Sequence, residues 1–250
     1  MKVLATYNIK GGVGKTSTAV NIAFLAARSG LRTLIWDLDP QGSATYLFRV
    51  RPKVKGGGKA LVKGRRTLDE AIKATDFPLL DLMPADFSYR NLDLNLDSTK
   101  HPTDRLRRLI VPVRKDYDLV ILDCPPSVSL VSESVVHSCD ALLVPLIPAM
   151  LSVRSFEQLI DFVERMPGRK PRVTAFLSMV DRRKKAHREL TERLPRDHAS
   201  VIAEAIPNRA VIEQMAEQRA PIPAFAPRSS ATAAYEALWA RVQSCLTNTS

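Results

Sequence analysis

The sequence predicts an α/β fold, a mostly parallel sheet with helices on both faces. Three observations carry that prediction. Short apolar runs alternate with stretches of helical period from end to end. The runs are apolar at successive positions, as in strands buried on both faces. The first run turns through glycines directly into a helix-like stretch, as a βα unit does.

The elements follow in order. Val3–Tyr7 reads as the first strand, and the seven residues Lys10 to Thr16, KGGVGKT, separate it from a helix at Thr16–Ala27. Gly11, Gly12 and Gly14 let the backbone close around an anion, where converging N–H groups and the helix dipole favour phosphate. Lys15 is placed to reach the β- and γ-phosphates of a nucleotide and the Thr16 hydroxyl to ligate Mg²⁺, with Val13 and Ser17 completing the cradle. The ordinary pattern G-x-x-x-x-G-K-[ST] needs Gly at position 9, which here is Ile9. The motif is therefore the compact form, with a lysine, Lys10, at its front.

Thr33–Trp36 is the next strand, followed by WDLDPQGSA over residues 36–44. Two aspartates at a strand's carboxyl end belong to the edge where parallel α/β sheets bind ligands. Aspartate also caps helices at βα turns, but beside KGGVGKT the chemical role is favoured. Arg49–Arg66 holds eight Lys or Arg, the triplet Gly56–Gly58 and no acidic residue, and reads as an inserted basic loop, in part disordered. Leu80–Met83 is a strand and Asp104–Arg114 a helix. Leu119–Leu122 then leads into LVILDCPPS, where Asp123 at the strand tip is suited to hold Mg²⁺ through water. Pro125 and Pro126 keep the following loop from entering a helix at once, and Cys124 reads as a small buried hydrophobe. Helices at Val131–His137, Val153–Arg165 and Arg188–Arg193 flank strands at Ala141–Pro145 and Val173–Met179. The last helix, Ala231–Leu246, carries Tyr235, Leu238, Trp239, Val242 and Leu246 on one stripe.

With 250 residues, no internal repeat and no linker, the chain reads as one domain spanning 1–250. No apolar run is long enough to cross a membrane, and the opening MKVLATYNIK lacks a signal peptide's apolar region. Three cysteines at unrelated spacing argue for a reducing compartment, so a cytoplasmic location is expected. The net charge of +11 is clustered and implies an anionic partner, nucleic acid before anionic lipid. Only 6% of residues are aromatic, which favours phosphate-backbone contact with duplex DNA over base stacking on single strands.

KGGVGKT resembles the deviant Walker A box of the ParA/MinD ATPases, and the resemblance extends to the last helix. It implies that Lys10 reaches across a dimer interface to the partner's nucleotide, a cation supplied in trans as an arginine finger is. The stretch D-L-D-P-Q-G is similar to switch I of ParA-type proteins. By that match Asp39 orients or deprotonates the attacking water and lies by the metal, while Asp37 supports the metal's water shell. The loop after Asp123 resembles switch II. Ser178–Arg182, SMVDR, matches the stretch that contacts adenine, implicating Met179 and Asp181, and Ile206–Asn208 resembles the stretch whose proline, here Pro207, covers the base.

The family resemblance implies a slow, partner-stimulated ATPase that forms an ATP-sandwich homodimer and binds DNA without sequence preference. It would sit on the nucleoid and partition a plasmid, chromosome region or protein cargo with a ParB-like or other adaptor. Three basic groups compete for DNA: Arg49–Arg66; the group Arg182, Arg183, Lys184, Lys185 and Arg188; and Arg209, Arg219 and Arg228. The family's arginine after the I-P pair is displaced here, since Asn208 holds its place and Arg209 follows; Ser230 stands where a second basic residue is common, with Arg228 close by.

A MinD-like membrane-associated ATPase is the alternative. It would need a basic amphipathic helix at the end of the chain, and Ala231–Ser250 has one basic residue, Arg241. An iron–sulfur reductase on the same fold would need a cysteine pair in glycine-rich loops, which Cys124 and Cys139 do not supply. Met1 leads straight into the first strand, so an N-terminal operator-binding extension is not expected.

Overall fold

A computed structural model describes residues 1–247; the last three residues of the tail read above lie outside the described residues. Eight strands form one sheet: β1 (Lys2–Thr6), β2 (Thr33–Asp37), β3 (Lys73–Ala74), β4 (Leu80–Met83), β5 (Leu119–Asp123), β6 (Ala141–Leu146), β7 (Arg172–Val180) and β8 (Val201–Pro207). Their order is β3-β4-β2-β5-β1-β6-β7-β8, and β3 alone runs antiparallel, against β4. The predicted mostly parallel sheet is what forms.

Alternation of side chains explains why the strands read as unbroken apolar runs. Val3 and Ala5 of β1 enter the core on one face of the sheet while Leu4 enters the other; Val120 and Leu122 of β5 likewise oppose Leu119 and Ile121. One face is covered by α1 (Lys15–Arg28), α2 (Ser43–Leu47) and later by α12 (Ser230–Thr247). The other is covered by α3 (Gly57–Val62), α4 (Leu92–Asp97), α5 (Arg105–Ile110), α6 (Leu130–Ser138), α7 (Met150–Arg165) and α8 (Lys185–Asp197). Three short helices, α9 (Ala210–Glu213), α10 (Met215–Gln218) and α11 (Ile222–Phe225), connect β8 to α12. The stripe on α12 packs as expected: Tyr235, Leu238, Trp239, Val242 and Leu246 are all buried.

Three expectations need correction. Residues 49–66 are not a disordered loop. They contain α3, and Val54, Leu61 and Val62 are buried. Gly58 is there for contact, since a Cβ on it would lie 3.0 Å from Tyr89 Cδ1. The helix expected over Asp104–Arg114 ends at Ile110 and gives way to a 3₁₀ turn, because Pro112 removes an N–H from the ladder. Strand β8 carries Glu204 amid partly exposed positions at the sheet edge, and β3 is two exposed residues, so neither shows as an apolar run.

Candidate functional site: a phosphate loop beside two buried carboxylates

Between β1 and α1 the chain turns around the glycines of KGGVGKT. Gly14 has a φ of 93°, and a Cβ there would meet Ser178 Oγ at 3.0 Å, so the position excludes other residues on two counts. The loop is held from outside. The Asn8 side-chain amide donates to the Pro145 carbonyl at 2.8 Å, and its oxygen accepts from the Lys10 N–H at 2.9 Å. Lys15 is 7% exposed and its ammonium donates to the Lys10 carbonyl at 3.0 Å, folded inside the loop. Burial holds its pKa below the usual lysine value. Val13 is buried and Thr16 and Ser17 are half-buried at the start of α1. The Lys10 ammonium, by contrast, has no hydrogen-bond or ion-pair partner among the described residues.

Register places the carboxylates. Thr6 of β1 and Asp37 of β2 both align with Asp123 of β5, so three strand tips meet beside the loop. Asp37 Oδ2 accepts from the Thr45 N–H at 2.8 Å and the Thr45 hydroxyl at 2.7 Å, and its Oδ1 from the Asp39 N–H at 3.3 Å. Burial still pushes its pKa up to about 6. Asp123 is fully buried; Oδ1 accepts from the Thr6 hydroxyl at 3.4 Å, and Oδ2 has no partner among the described residues. Burial first and the Asp37 charge second raise its pKa well above the carboxylate range. Asp39 is half-buried on the turn beyond, accepting from the Gln41 N–H at 2.9 Å, close enough for its charge to act on both Lys15 and Asp123. Cys124 is buried as expected, and burial drives its thiol pKa far up.

Supporting residues escaped the sequence. The Tyr7 hydroxyl donates to the Ser127 carbonyl at 2.7 Å and pins the loop after β5. Thr45 joins β2 to the segment after β4, its hydroxyl also accepting from the Ala85 N–H at 2.8 Å. Polar residues directly after an apolar strand, Tyr7 and Asn8, were the available signal for the first pair. Thr45 offered none, because its partners, Asp37 at the end of β2 and Ala85 after β4, lie outside its own helix and one of them is forty residues away.

A groove of about 540 Å³ opens at the ends of β7 and β8, its lining beginning at Val180, directly after the Ser178 and Met179 that abut Gly14. Met179 itself has a φ of 56°. The lining includes Asp181, Arg182, Pro207, Asn208, Arg209 and Ser230. Residues expected at a base and residues expected at DNA thus share one groove. Two of them are paired: Arg183 Nε and Nη2 donate to Asp181 Oδ1 and Oδ2, each at 2.9 Å. That pairing holds the Asp181 carboxyl well below the usual range. Lys184 and Lys185 lie exposed at the start of α8, with Lys185 3.7 Å from Glu189, and exposed Arg228 precedes α12 outside the groove lining.

A glycine-rich strand–helix loop holding a buried lysine, with an unsatisfied carboxylate on the neighbouring strand tip, defines a P-loop nucleoside triphosphatase. The AAA domain family model matches residues 1–174. The chain is 33% identical to the chromosome partitioning protein ParA of Caulobacter vibrioides over 79% of its own length and 75% of the relative's. It is 32% identical to the sporulation initiation inhibitor protein Soj of Bacillus subtilis over 65% of this chain and 64% of Soj. In fold it is similar to an McdA–ATP complex of Cyanothece, with a TM-score of 0.86 over 100% of this chain and 98% of that one at 18% identity. It is similar also to cobyrinic acid a,c-diamide synthase of Mycobacterium smegmatis with bound ATP analog and magnesium, with a TM-score of 0.83 over 100% and 97% at 24% identity. The chain belongs to the ParA-type family of partition ATPases.

Proposed function

We propose that the protein is an ATP-hydrolysing switch that forms an ATP-sandwich dimer and, in that form, binds duplex DNA without sequence preference to partition or position a cargo. The observation that carries it is the contrast between the two lysines. Lys15 is folded into its own loop, whereas the Lys10 ammonium beside it has no partner among the described residues. A second subunit's nucleotide gives that ammonium its use.

The residues fit Mg²⁺–ATP. The buried, unpartnered Oδ2 of Asp123 and the Thr16 hydroxyl beside it supply hard oxygen ligands, directly or through water. When bound, Mg²⁺ offsets phosphate charge. The protein's own groups do the rest. Lys15 and the loop N–H groups hold the phosphates, Lys10 stabilises the partner's transferred phosphoryl group, and Asp39 aligns the attacking water and takes its proton. Asp37, with both oxygens engaged, fixes the turn that carries Asp39. The base takes the groove against Pro207 and Asp181, with Met179 one residue before its lining and beside Gly14. Arg182, Arg183, Lys184, Lys185, Arg209 and Arg228 surround its mouth or lie near it and contact DNA phosphates in the dimer.

Turnover is slow until a ParB-like or other adaptor accelerates it, and the protein works in the cytoplasm on the nucleoid. Membrane attachment is disfavoured, because the apolar stripe of α12 is consumed in the core and no helix among the described residues is long and apolar enough to cross a bilayer. Steady-state hydrolysis and gel shift test the reading together. Asp39→Ala is expected to lose hydrolysis while keeping ATP-dependent binding to unrelated duplexes. Wild-type hydrolysis in that variant, or binding to a single operator sequence, would contradict it.

A further inference from the structure

We propose that α3 and α5 together present a second surface for duplex DNA, remote from the groove and independent of nucleotide. This rests on the reading of the protein as a DNA binder and adds to it a location and a nucleotide-free mode. The charge is not spread evenly. Residues 49–115 hold sixteen Lys or Arg against eight Asp or Glu, a balance of +8 out of the chain's +11. Folding brings two parts of that segment together. Arg105 Nη2 of α5 lies 3.0 Å from where a Cβ on Gly64 would sit, directly beyond the end of α3. Lys63 and Arg65 flank that glycine, Lys59 stands one turn back on the same side of α3, and Arg108 follows Arg105 by three residues on the same side of α5.

Lys59, Lys63, Arg65, Arg107 and Arg108 are exposed, and none forms an ion pair among the described residues. Nearby Arg66 differs, being paired with Glu70 at 2.6 Å. The acidic side chain closest in sequence to the α5 cations is Asp104, at its start.

The chemistry of the face selects its partner. The apolar side chains of both helices, Leu61, Val62, Leu106, Leu109 and Ile110, are buried, so the exposed side chains of the two helices themselves are cations; the exposed apolar side chains of this region, Phe87, Leu94 and Val111, stand outside them. A protein partner would need apolar anchors at the centre of its footprint, whereas a polyanionic backbone needs only cations free to release its counterions. Nothing in this face depends on the phosphate loop. Nor is it continuous with the groove: α3 and α5 lie in the crossovers between β2 and β5, whereas the groove is built at the ends of β7 and β8 and the start of α12. β2 and β8 stand five strand positions apart, about 24 Å at ordinary spacing. A single subunit therefore has two DNA surfaces set apart along the sheet, which lets one molecule bridge two duplexes.

The test uses the full chain and two variants, Lys59→Ala/Lys63→Ala/Arg65→Ala/Arg108→Ala and the same four positions changed to Glu. Anisotropy of a labelled duplex is measured without nucleotide across a salt series, and bead-bound duplex is used to capture a second, labelled duplex. Wild type is expected to bind without nucleotide, with a slope of log affinity against log salt near −3 to −4, about −0.9 for each of some four contacts. The alanine variant should lose at least tenfold in affinity and most of that slope. The glutamate variant should bind no duplex without nucleotide, and neither should capture the second duplex. Both should keep DNA-free ATP hydrolysis and thermal midpoint, since all four side chains are exposed. Unchanged nucleotide-free binding in both variants overturns the proposal, as does a wild type that ignores duplex but binds polyglutamate. Failure of the broader DNA reading looks different, since wild type would then bind no duplex even with ATP.

Discussion

Replacing Thr45 by valine perturbs the site without touching any group that would meet nucleotide. The hydroxyl is fully buried between Asp37 Oδ2, to which it donates at 2.7 Å, and the Ala85 N–H, from which it accepts at 2.8 Å. Valine fills the same volume and satisfies neither. A hydrogen bond to a charged carboxylate contributes about 1.5–3 kcal/mol, and a buried N–H left unpaired costs about 1–3 kcal/mol. Thr45→Val is therefore expected to destabilise by about 3–5 kcal/mol at pH 7.5, a large part of a domain's usual 5–15 kcal/mol.

The effect has a pH signature. The folded-state pKa of Asp37 is raised from 3.8 to about 6, so the stability associated with this group is greatest below about pH 4 and is lost as pH rises through about 6. Removing the hydroxyl bond, which favours the charged form, moves that upper limit further up. Below about pH 5 Asp37 is protonated in the fold and the bond it loses is a weaker, neutral one, so the penalty narrows. Urea unfolding of wild type, Thr45→Val and Thr45→Ser at pH 5 and 7.5 checks this, with serine, which keeps the hydroxyl, expected within about 1 kcal/mol of wild type. A valine variant within that margin at pH 7.5, or a penalty that grows toward acid, would refute the reasoning.

Other expectations are more local. Gly14→Ala combines a φ of 93° with a Cβ 3.0 Å from Ser178 Oγ, and is expected to abolish nucleotide binding in a titration with a fluorescent ATP analogue; retained affinity would show that the loop can relax. Gly58→Val drives a side chain into Tyr89 and should lower thermal stability by about 1–3 kcal/mol. No change there would mean that α3 is not packed as described. Asp181→Ala should weaken ATP binding in calorimetry with the thermal midpoint unmoved, and equal affinities would remove Asp181 from the base site. Cys124 and Cys139, buried with thiol pKa values raised by burial, should resist iodoacetamide at pH 8 until the protein is unfolded, and rapid native labelling would contradict their burial.

How far the sequence carried depended on where the determining contacts lie. β1, β2 and β5 were legible because strands buried on both faces leave unbroken apolar runs, and their aspartate ends were legible because chemistry there needs carboxylates in a fixed order. β8 was not, since an edge strand with Glu204 partly exposed has no such run. Residues 49–66 misled through composition. Glycine and lysine dominate the count, yet three apolar side chains, Val54, Leu61 and Val62, fix the segment, and Gly58 serves contact rather than freedom. The union of α3 with the arginines of α5 is a tertiary contact across some forty residues that no local pattern announces. The Asp181–Arg183 pair was within reach of a local reading, because a single residue in sequence separates the carboxylate from the guanidinium that pairs with it.

The central claim is that Lys10 acts on the neighbouring subunit's nucleotide, and subunit mixing tests it most directly. Lys10→Ala subunits keep Asp39 but lack the cation to donate; Asp39→Ala subunits keep Lys10 but cannot activate water. Each alone should be inactive. In a mixed dimer the Lys10→Ala site receives the partner's Lys10 and is complete, so an equal mixture should regain hydrolysis toward about one quarter of the wild-type rate under random pairing. A mixture no more active than its components, or Lys10→Ala hydrolysing normally by itself, would contradict the account.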